Sequence, residues 1–274
     1  MRLTSLLLIG VIAAASAALF QHFRSTAPNV AVVLASAGFH AILFILTPIE
    51  ASTAKGAFSR AYLKSTIVST VHSLVVIIYV AVWLTRYTME VSNLDRTIGG
   101  GVDGTGDEHQ SAVMAYSIGY FVYDFVVIHV YREVWSMGTF MHHILILLSF
   151  GMGLFGGIAR PLHFFYLLEE LSTPFLNLKT LYRHNERLHT LWSLLFAVSF
   201  IGCRMVYGMW IYVNIVMMLT RFPDSKYYTD PFKRFQFYFQ IITCTGTRIL
   251  NFYWTFLILG KVFGSGKSHK KKKI

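Results

Sequence analysis

Apolar runs of about 20 residues recur along the whole 274-residue chain, and they constrain its fold more than any other feature. A helix of that length just spans the hydrocarbon core of a bilayer, and it satisfies its backbone hydrogen bonds internally. Only 14% of the residues are charged and the mean hydropathy is +0.54, whereas soluble domains carry about 25% charged residues. The sequence therefore predicts an all-α, polytopic membrane helical bundle.

Eight such runs predict seven or eight transmembrane helices, because the first run is ambiguous. Its basic start, short apolar core and Ala-Ser-Ala sequence are typical of a cleaved signal peptide, and an uncleaved helix is the alternative. The seventh run is too long for one upright crossing, so it is tilted, extends beyond the bilayer or breaks near Gly202. The predicted spans are 3–21, 29–48, 65–84, 113–131, 139–157, 162–182, 189–219 and 239–262.

Basic residues indicate how these spans are oriented. With a cytosolic N-terminus, fourteen lysines and arginines fall in cytosolic segments and eight on the opposite side, in agreement with the positive charge of cytosolic loops. The C-terminus is then cytosolic, and the glycine-rich loop 85–112 is lumenal. The formal charge of +11 is thus explained by membrane orientation, and we expect no nucleic-acid partner.

The chain ends in SHKKKKI, with Lys272 and Lys271 third and fourth from the terminus. On a cytosolic tail this spacing predicts recognition by a coat protein and retrieval to the endoplasmic reticulum. A polybasic anchor to anionic headgroups is the alternative. No feature of the sequence specifies an oligomeric state.

Polar and ionisable residues inside the predicted spans are the candidates for function. Span six carries a polar stripe at helical spacing, made of His163, Tyr166, Glu170, Thr173 and Asn177. Glu169 lies about 100° away from this stripe. Further polar residues on the other spans predict one interior cavity, and they are His72, Tyr116, Tyr120, Tyr123, Asp124, His142, His143, Arg204, Arg248 and Asn251.

Purely structural roles are the alternative for the stripe, because interhelical hydrogen bonds hold many membrane bundles together. Pro174 clashes with the carbonyl of Glu170, so nearby hydroxyl groups could satisfy a kink there. A buried charge needs a partner, and Arg204 is the predicted partner of Asp124 or Glu170.

The adjacent histidines His142 and His143 project about 100° apart on a helix, so we predict no metal site. One histidine combined with a carboxylate from another helix suits a general base. The alternative is that one ring lines the cavity while the other packs against the protein or faces headgroups.

Several segments, taken in order, resemble the TLC-domain family of endoplasmic reticulum membrane proteins, which includes the ceramide synthases. They are VSTVHS (68–73), GYFVYD (119–124), HH (142–143), LLEELSTPFLNL (167–178), Arg204 and NFYW (251–254). The resemblance implies about six core spans around a lipid-accessible cavity. It divides the chain into N-terminal transmembrane helices over 1–59, a TLC-type domain over 60–262 and a cytosolic polybasic tail over 263–274.

The resemblance also implies which residues act. In ceramide synthases a paired histidine and a downstream His-Asp-x-Ser-Asp-like motif support acyl transfer from acyl-CoA to a sphingoid amine. The pair corresponds to His142 and His143, and the motif positions are held by Glu169, Glu170, Ser172 and Thr173. Because Thr173 replaces the second aspartate, the resemblance implies the non-ceramide-synthase branch, whose members are linked to membrane lipid composition.

Three functions follow from these observations. In the first, the protein binds membrane lipid and adjusts lipid composition, with contacts from His72, Tyr120, Tyr123, His163, Tyr166, Thr173, Asn177, Arg204 and Asn251. In the second, it is a lipid N-acyltransferase that uses acyl-CoA as co-substrate and needs no cofactor, with catalytic candidates His142, His143, Asp124 and Glu170. In the third, it is a cargo or interaction protein of the endoplasmic reticulum.

Overall fold

A computed structural model describes residues 3–49, 59–84, 108–221 and 229–264, and within these ranges the chain is helical and contains no strand. Each of the eight predicted spans falls on a helix, so the prediction of an all-α bundle is confirmed. The helices are α1 (Leu3–Phe23), α2 (Pro28–Leu46), α3 (Arg60–Leu84), α4 (Glu108–Val130), α5 (Met137–Gly156), α6 (160–181), α7 (186–221) and α8 (Pro231–Gly264). The polybasic tail and most of the glycine-rich loop lie outside the described residues.

Two of these helices change their winding part-way along. Helix α6 is α-helical over Arg160–Tyr166, 3₁₀ over Leu167–Ser172 and α-helical again over Thr173–Leu181. Helix α7 is α-helical over Glu186–Phe200 and Gly208–Arg221, with a π-helical segment, Ile201–Tyr207, in between. The long seventh span therefore does not break near Gly202. Instead, the helix widens into a π-helical segment at this point, and such segments occur frequently at functional sites.

Helices α3 to α8 form a closed ring. Around it the order is α3, α6, α7, α8, α5, α4 and back to α3, and each neighbouring pair is in contact. Buried aromatic and aliphatic side chains fill the space between helices, with Tyr123, Phe164, Phe165 and Phe237 among the largest. The ring confirms the predicted six-helix core.

The first two helices attach to one side of this ring. Helix α1 packs on α2, and α2 packs on α4. The α2–α4 contact is close because a Cβ at Gly119 would overlap the carbonyl of Val33 and the side chain of Ser36. Ser36 uses the proximity to donate a 2.5 Å hydrogen bond to the carbonyl of Tyr116.

Two cations cap the carboxyl ends of helices. Lys64 donates to the carbonyls of Phe44 and Ile45, at 3.0 and 2.9 Å, at the end of α2. Arg160 donates to two carbonyls in the last turns of α5, at 3.3 and 2.9 Å. Positive charge is favourable at a helix carboxyl end, where carbonyl groups lack partners within the helix. These contacts hold α2 to α3 and α5 to α6.

Five of the described helices are long and apolar enough to cross a membrane, namely Pro28–Leu46, Arg60–Val82, Glu108–Val130, Met137–Gly156 and Glu186–Met217. Helix α1 contributes a shorter apolar helix, Ile9–Phe23. Helices α6 and α8 belong to the same ring but carry two buried acids and a buried arginine, Glu169, Glu170 and Arg248. The chain is a multi-pass membrane protein.

Candidate functional site

A cavity of about 880 Å³ lies inside the ring, and all six ring helices contribute to its wall. Binding pockets for small ligands commonly measure about 300–1,000 Å³. We call it the ring cavity. Its ionisable lining residues are Asp124, His142, His143, Glu170, Lys179, His189, Arg204 and Lys261.

The depth of the ring cavity follows from positions along the helices. Lys179 lies in the last turn of α6 and Lys261 in the last turn of α8, so both mark one end, which we call the mouth. Glu170 lies nine residues before Lys179, which corresponds to roughly 14 Å along a helix at 1.5 Å per residue. This mouth is on the side that the sequence predicts to be cytosolic.

His143 of α5 and Asp124 of α4 meet in the ring cavity. The His143 Nε2 atom lies 2.8 Å from Asp124 Oδ2, and both side chains are buried. Asp124 Oδ1 also accepts a 3.2 Å hydrogen bond from the Ser65 hydroxyl. The predicted pairing of a histidine with a carboxylate from another helix is present here.

The contacts of His143 define where protons reside. Its Nδ1 lies 2.7 Å from the Thr139 carbonyl, which can only accept, so Nδ1 carries a proton. The Nε2 atom is buried against the Asp124 carboxylate, 2.8 Å away. A protonated imidazole beside an ionised carboxylate forms a pair without net charge.

His142 points differently from its neighbour, as expected for adjacent residues on a helix. Its ring packs edge-on against Trp254, with 5.4 Å between ring centroids, and it contacts the ring of Phe121 at 6.2 Å. Among the described residues, the side chain of His142 makes no hydrogen bond. His142 therefore lines the ring cavity with an imidazole that is available to a ligand.

The two adjacent acids of α6 turn to different helices. Glu170 Oε1 lies 3.5 Å from Arg204 Nη2, and Glu170 Oε2 accepts a 2.7 Å hydrogen bond from the Thr173 hydroxyl. In a 3₁₀ helix residues i and i+3 eclipse, which places Thr173 directly beside Glu170. The predicted pairing of Glu170 with Arg204 is present.

Glu169 is buried as well, although the 3.6-residue period placed it off the polar face. Its carboxylate pairs with Arg248 of α8 and accepts a 3.2 Å hydrogen bond from Asn251. Arg248 also donates to the backbone carbonyl of Arg204, at 2.8 Å. Sequence reasoning placed Arg248 in the interior cavity but placed Glu169 off the polar face, and it did not predict that these two residues pair. The signal for the pair was that both are charged residues within predicted membrane spans.

The π segment of α7 supports this charge cluster, which consists of Glu169, Glu170, Arg204 and Arg248. Gly208, directly after the π segment, has no side chain, and a Cβ there would overlap both Arg248 Nη1 and Glu169 Oε1. Arg204, within the π segment, donates from Nε to the Ser172 hydroxyl at 3.1 Å. Helices α6, α7 and α8 therefore meet through paired charges.

A second, smaller cavity of about 40 Å³ adjoins the charge cluster, and we call it the inner pocket. His142, Glu170 and Arg204 belong to its wall and to that of the ring cavity. Three other predicted site residues line the inner pocket alone, and they are His163, Tyr166 and Asn251.

Three of the predicted lipid contacts on α6 and α4, namely Tyr120, Thr173 and Asn177, line the ring cavity. Asn177 also donates a 2.9 Å hydrogen bond to Thr70 of α3. His72 and Tyr123 line neither cavity. They pack instead into an aromatic cluster with His40 of α2, where the rings of His72 and Tyr120 stack with centroids 3.9 Å apart.

The described residues contain no group of three or more histidine, cysteine, aspartate or glutamate side chains that could hold a metal ion. The ionisable groups of the site are the His143–Asp124 pair, the charge cluster of two acids and two arginines, and four groups of the ring cavity outside these pairs, namely His142, Lys179, His189 and Lys261.

Comparison with known families decides the identity of this ring. A family model described as the TLC domain matches residues 63–260. The chain belongs to the TLC-domain family. The match runs from the first turn of α3 to the end of α8, so the TLC domain is the six-helix ring, and α1 and α2 lie outside it. No curated protein and no solved structure gives a significant match to the chain.

Proposed function

We propose that this TLC-domain protein binds a membrane lipid in the ring cavity and thereby influences the lipid composition of the endoplasmic reticulum membrane. The observation that carries the proposal is the ring cavity itself, about 880 Å³ inside a membrane-embedded bundle. A cavity of this size can hold a small ligand, and its apolar residues on α7 and α8, together with its place within a membrane bundle, favour an amphiphile.

The wall of the ring cavity differs from one side to the other, as an amphiphile requires. Helices α7 and α8 supply the apolar residues Leu194, Phe196, Phe200, Leu257 and Ile258. The opposite side, from α3 to α6, supplies polar groups, among which Asp124 and Glu170 are already paired. An apolar chain that enters from the mouth can therefore lie against α7 and α8.

Blocking the ring cavity tests this proposal. Ser193 lines the cavity and its hydroxyl has no hydrogen-bond partner, so Ser193→Trp inserts an indole without removing a bond. We expect native mass spectrometry of the purified protein to show bound lipid in the wild type and less in Ser193→Trp. Val198→Trp is the matched control, because Val198 is 63% exposed on the same helix. Equal lipid in all three proteins would refute binding in the cavity.

A second candidate function, acyl transfer from acyl-CoA to a lipid amine, is favoured by the 2.8 Å contact between His143 and Asp124. In that reaction a histidine removes the amine proton, the nitrogen attacks the thioester carbonyl, and the coenzyme leaves as a thiol. Because both nitrogens of His143 are engaged, His142 is better placed to accept the proton.

Labelled acyl-CoA added to microsomes tests this second function. We expect a new N-acyl lipid with the wild type, and its loss with His142→Ala. Asp124→Asn should also lower the yield, because it removes the charged partner of His143. Absence of a product with the wild-type protein would eliminate the acyltransferase, while lipid binding would still stand.

Residence in the endoplasmic reticulum is part of the proposal and is supported by the lysine spacing of the tail, which lies outside the described residues. Replacing Lys271 and Lys272 by serine should move a fluorescently tagged protein to later compartments. The same location for wild type and variant would refute retrieval by these lysines.

A further inference from the structure

The mouth of the ring cavity carries two lysines without a counter-charge. Within the described ranges neither Lys179 nor Lys261 forms an ion pair, and both line the ring cavity from the last turns of their helices. Lys179 Nζ lies 5.5 Å from the ring centroid of Phe196, so an aromatic face is its protein contact. Like charges held together at an opening are unfavourable unless an anion joins them.

The other charges of the ring cavity do not compensate for these lysines. The His143–Asp124 pair is neutral as a unit, and Glu170 is paired with Arg204. What is left over is two positive charges from Lys179 and Lys261, both at the mouth. The cavity therefore presents a double positive charge at one end of a passage whose α7 and α8 side carries apolar residues.

We infer that the mouth binds the phosphate monoester of an amphiphile, whose chain occupies the ring cavity. A phosphate monoester carries about −1.5 to −2 charges at pH 7, which matches two lysines. A phosphodiester carries a single negative charge and leaves one lysine uncompensated. The charge balance at the mouth thus selects the monoester.

This inference rests on the proposed lipid binding and specifies the headgroup for it. The roughly 14 Å from the mouth to Glu170 lies along the passage lined by Leu194, Leu257 and Ile258. A headgroup at the mouth therefore places the first part of its chain against these apolar side chains.

Competition between two lipids tests the headgroup. Purified full-length protein is incubated with dioleoyl phosphatidate, a monoester, and an equal amount of dioleoyl phosphatidylglycerol, a diester with one negative charge, and bound lipid is counted by native mass spectrometry. We expect about fivefold preference for phosphatidate, because its second charge meets the second lysine. In Lys179→Gln/Lys261→Gln, phosphatidate affinity should fall about fivefold for each lysine, and the preference over phosphatidylglycerol should be lost.

A matched control removes the same charge elsewhere on the same side. Arg132 and Arg187 are exposed and do not line the ring cavity, so Arg132→Gln/Arg187→Gln should retain the wild-type preference. Equal binding of the two lipids by the wild type, or equal loss in both double variants, would overturn the inference.

A soluble competitor identifies the source of the phosphate. Coenzyme A carries a phosphate monoester without a lipid chain. If it displaces phosphatidate from the wild type, the site is selective for the phosphate group from either source, and if it does not, the lipid headgroup is the ligand. Equal binding of both lipids by the wild-type protein refutes only the inferred phosphate monoester headgroup. A wild-type protein that binds neither lipid refutes the proposed lipid binding as well.

Discussion

Replacement of Gly208 by alanine tests whether the buried charge cluster stabilises the ring. A Cβ at this position would overlap Arg248 Nη1 and Glu169 Oε1, so the ion pair between α6 and α8 has to move apart. Gly202, at the start of the π segment, provides a matched control on the same helix. It is exposed, and a Cβ there would meet no atom within 4 Å.

The expected magnitude follows from two opposing contributions. Alanine in place of glycine favours a helix by about 1 kcal/mol at either position. Disrupting a buried ion pair costs about 3–5 kcal/mol, because it leaves charges without compensation. Gly208→Ala should therefore destabilise the protein by about 2–4 kcal/mol, and Gly202→Ala should be neutral or slightly stabilising. For a chain of this size the loss corresponds to a melting temperature about 5–10 °C lower.

The assay is thermal unfolding of the detergent-purified protein, followed by the reaction of its two buried cysteines, Cys203 and Cys244, with a thiol-reactive dye. Making Gly208→Ala in a Glu169→Gln/Arg248→Met protein completes a mutant cycle that isolates the contribution of the ion pair. Without these charges, Gly208→Ala should lower the melting temperature much less. A melting temperature for Gly208→Ala equal to that of Gly202→Ala would refute the reasoning.

Two further contacts give shorter predictions. Asn177→Ala removes the 2.9 Å hydrogen bond to Thr70 and should destabilise the protein by about 1 kcal/mol. The same thermal assay measures this loss, with Asn177→Gln as the comparison. An unchanged melting temperature for Asn177→Ala would contradict the prediction. Gly119→Val should separate α2 from the ring, because even a Cβ overlaps Val33 and Ser36. Protease sensitivity of the α1–α2 region should then increase, and wild-type resistance would contradict the close contact.

Membrane burial made the helices predictable, because each span needs about 20 apolar residues regardless of its neighbours. The sequence also predicted that one histidine pairs with a carboxylate from another helix and that Arg204 pairs with Asp124 or Glu170, since buried charges require partners. The structure decides which partner each group takes. Both predictions rest on the free-energy cost of burying polar or charged groups in a membrane, which can be judged from the residue types in a single sequence.

Which face a residue presents was less predictable, because it depends on local winding and on helix order. Glu169 lay off the polar stripe at 3.6 residues per turn, but the 3₁₀ winding of Leu167–Ser172 directs it to α8. His72 and Tyr123 were assigned to the cavity as polar residues of core spans. They contact His40 instead, since α2 packs on α4 outside the ring, an arrangement that periodicity does not encode.

The distribution of the charge cluster over three helices has a consequence for biogenesis. Helix α6 supplies both acids, whereas α7 and α8 supply one arginine each, so no one of these helices can enter the hydrocarbon region with its charge neutralised. Charged residues on an isolated transmembrane helix are costly in lipid. We therefore expect helices α6 and α7 to stay beside the translocon or a chaperone until α8 has been synthesised. A chain truncated before α8 would keep Glu169 uncompensated and should be recognised for degradation.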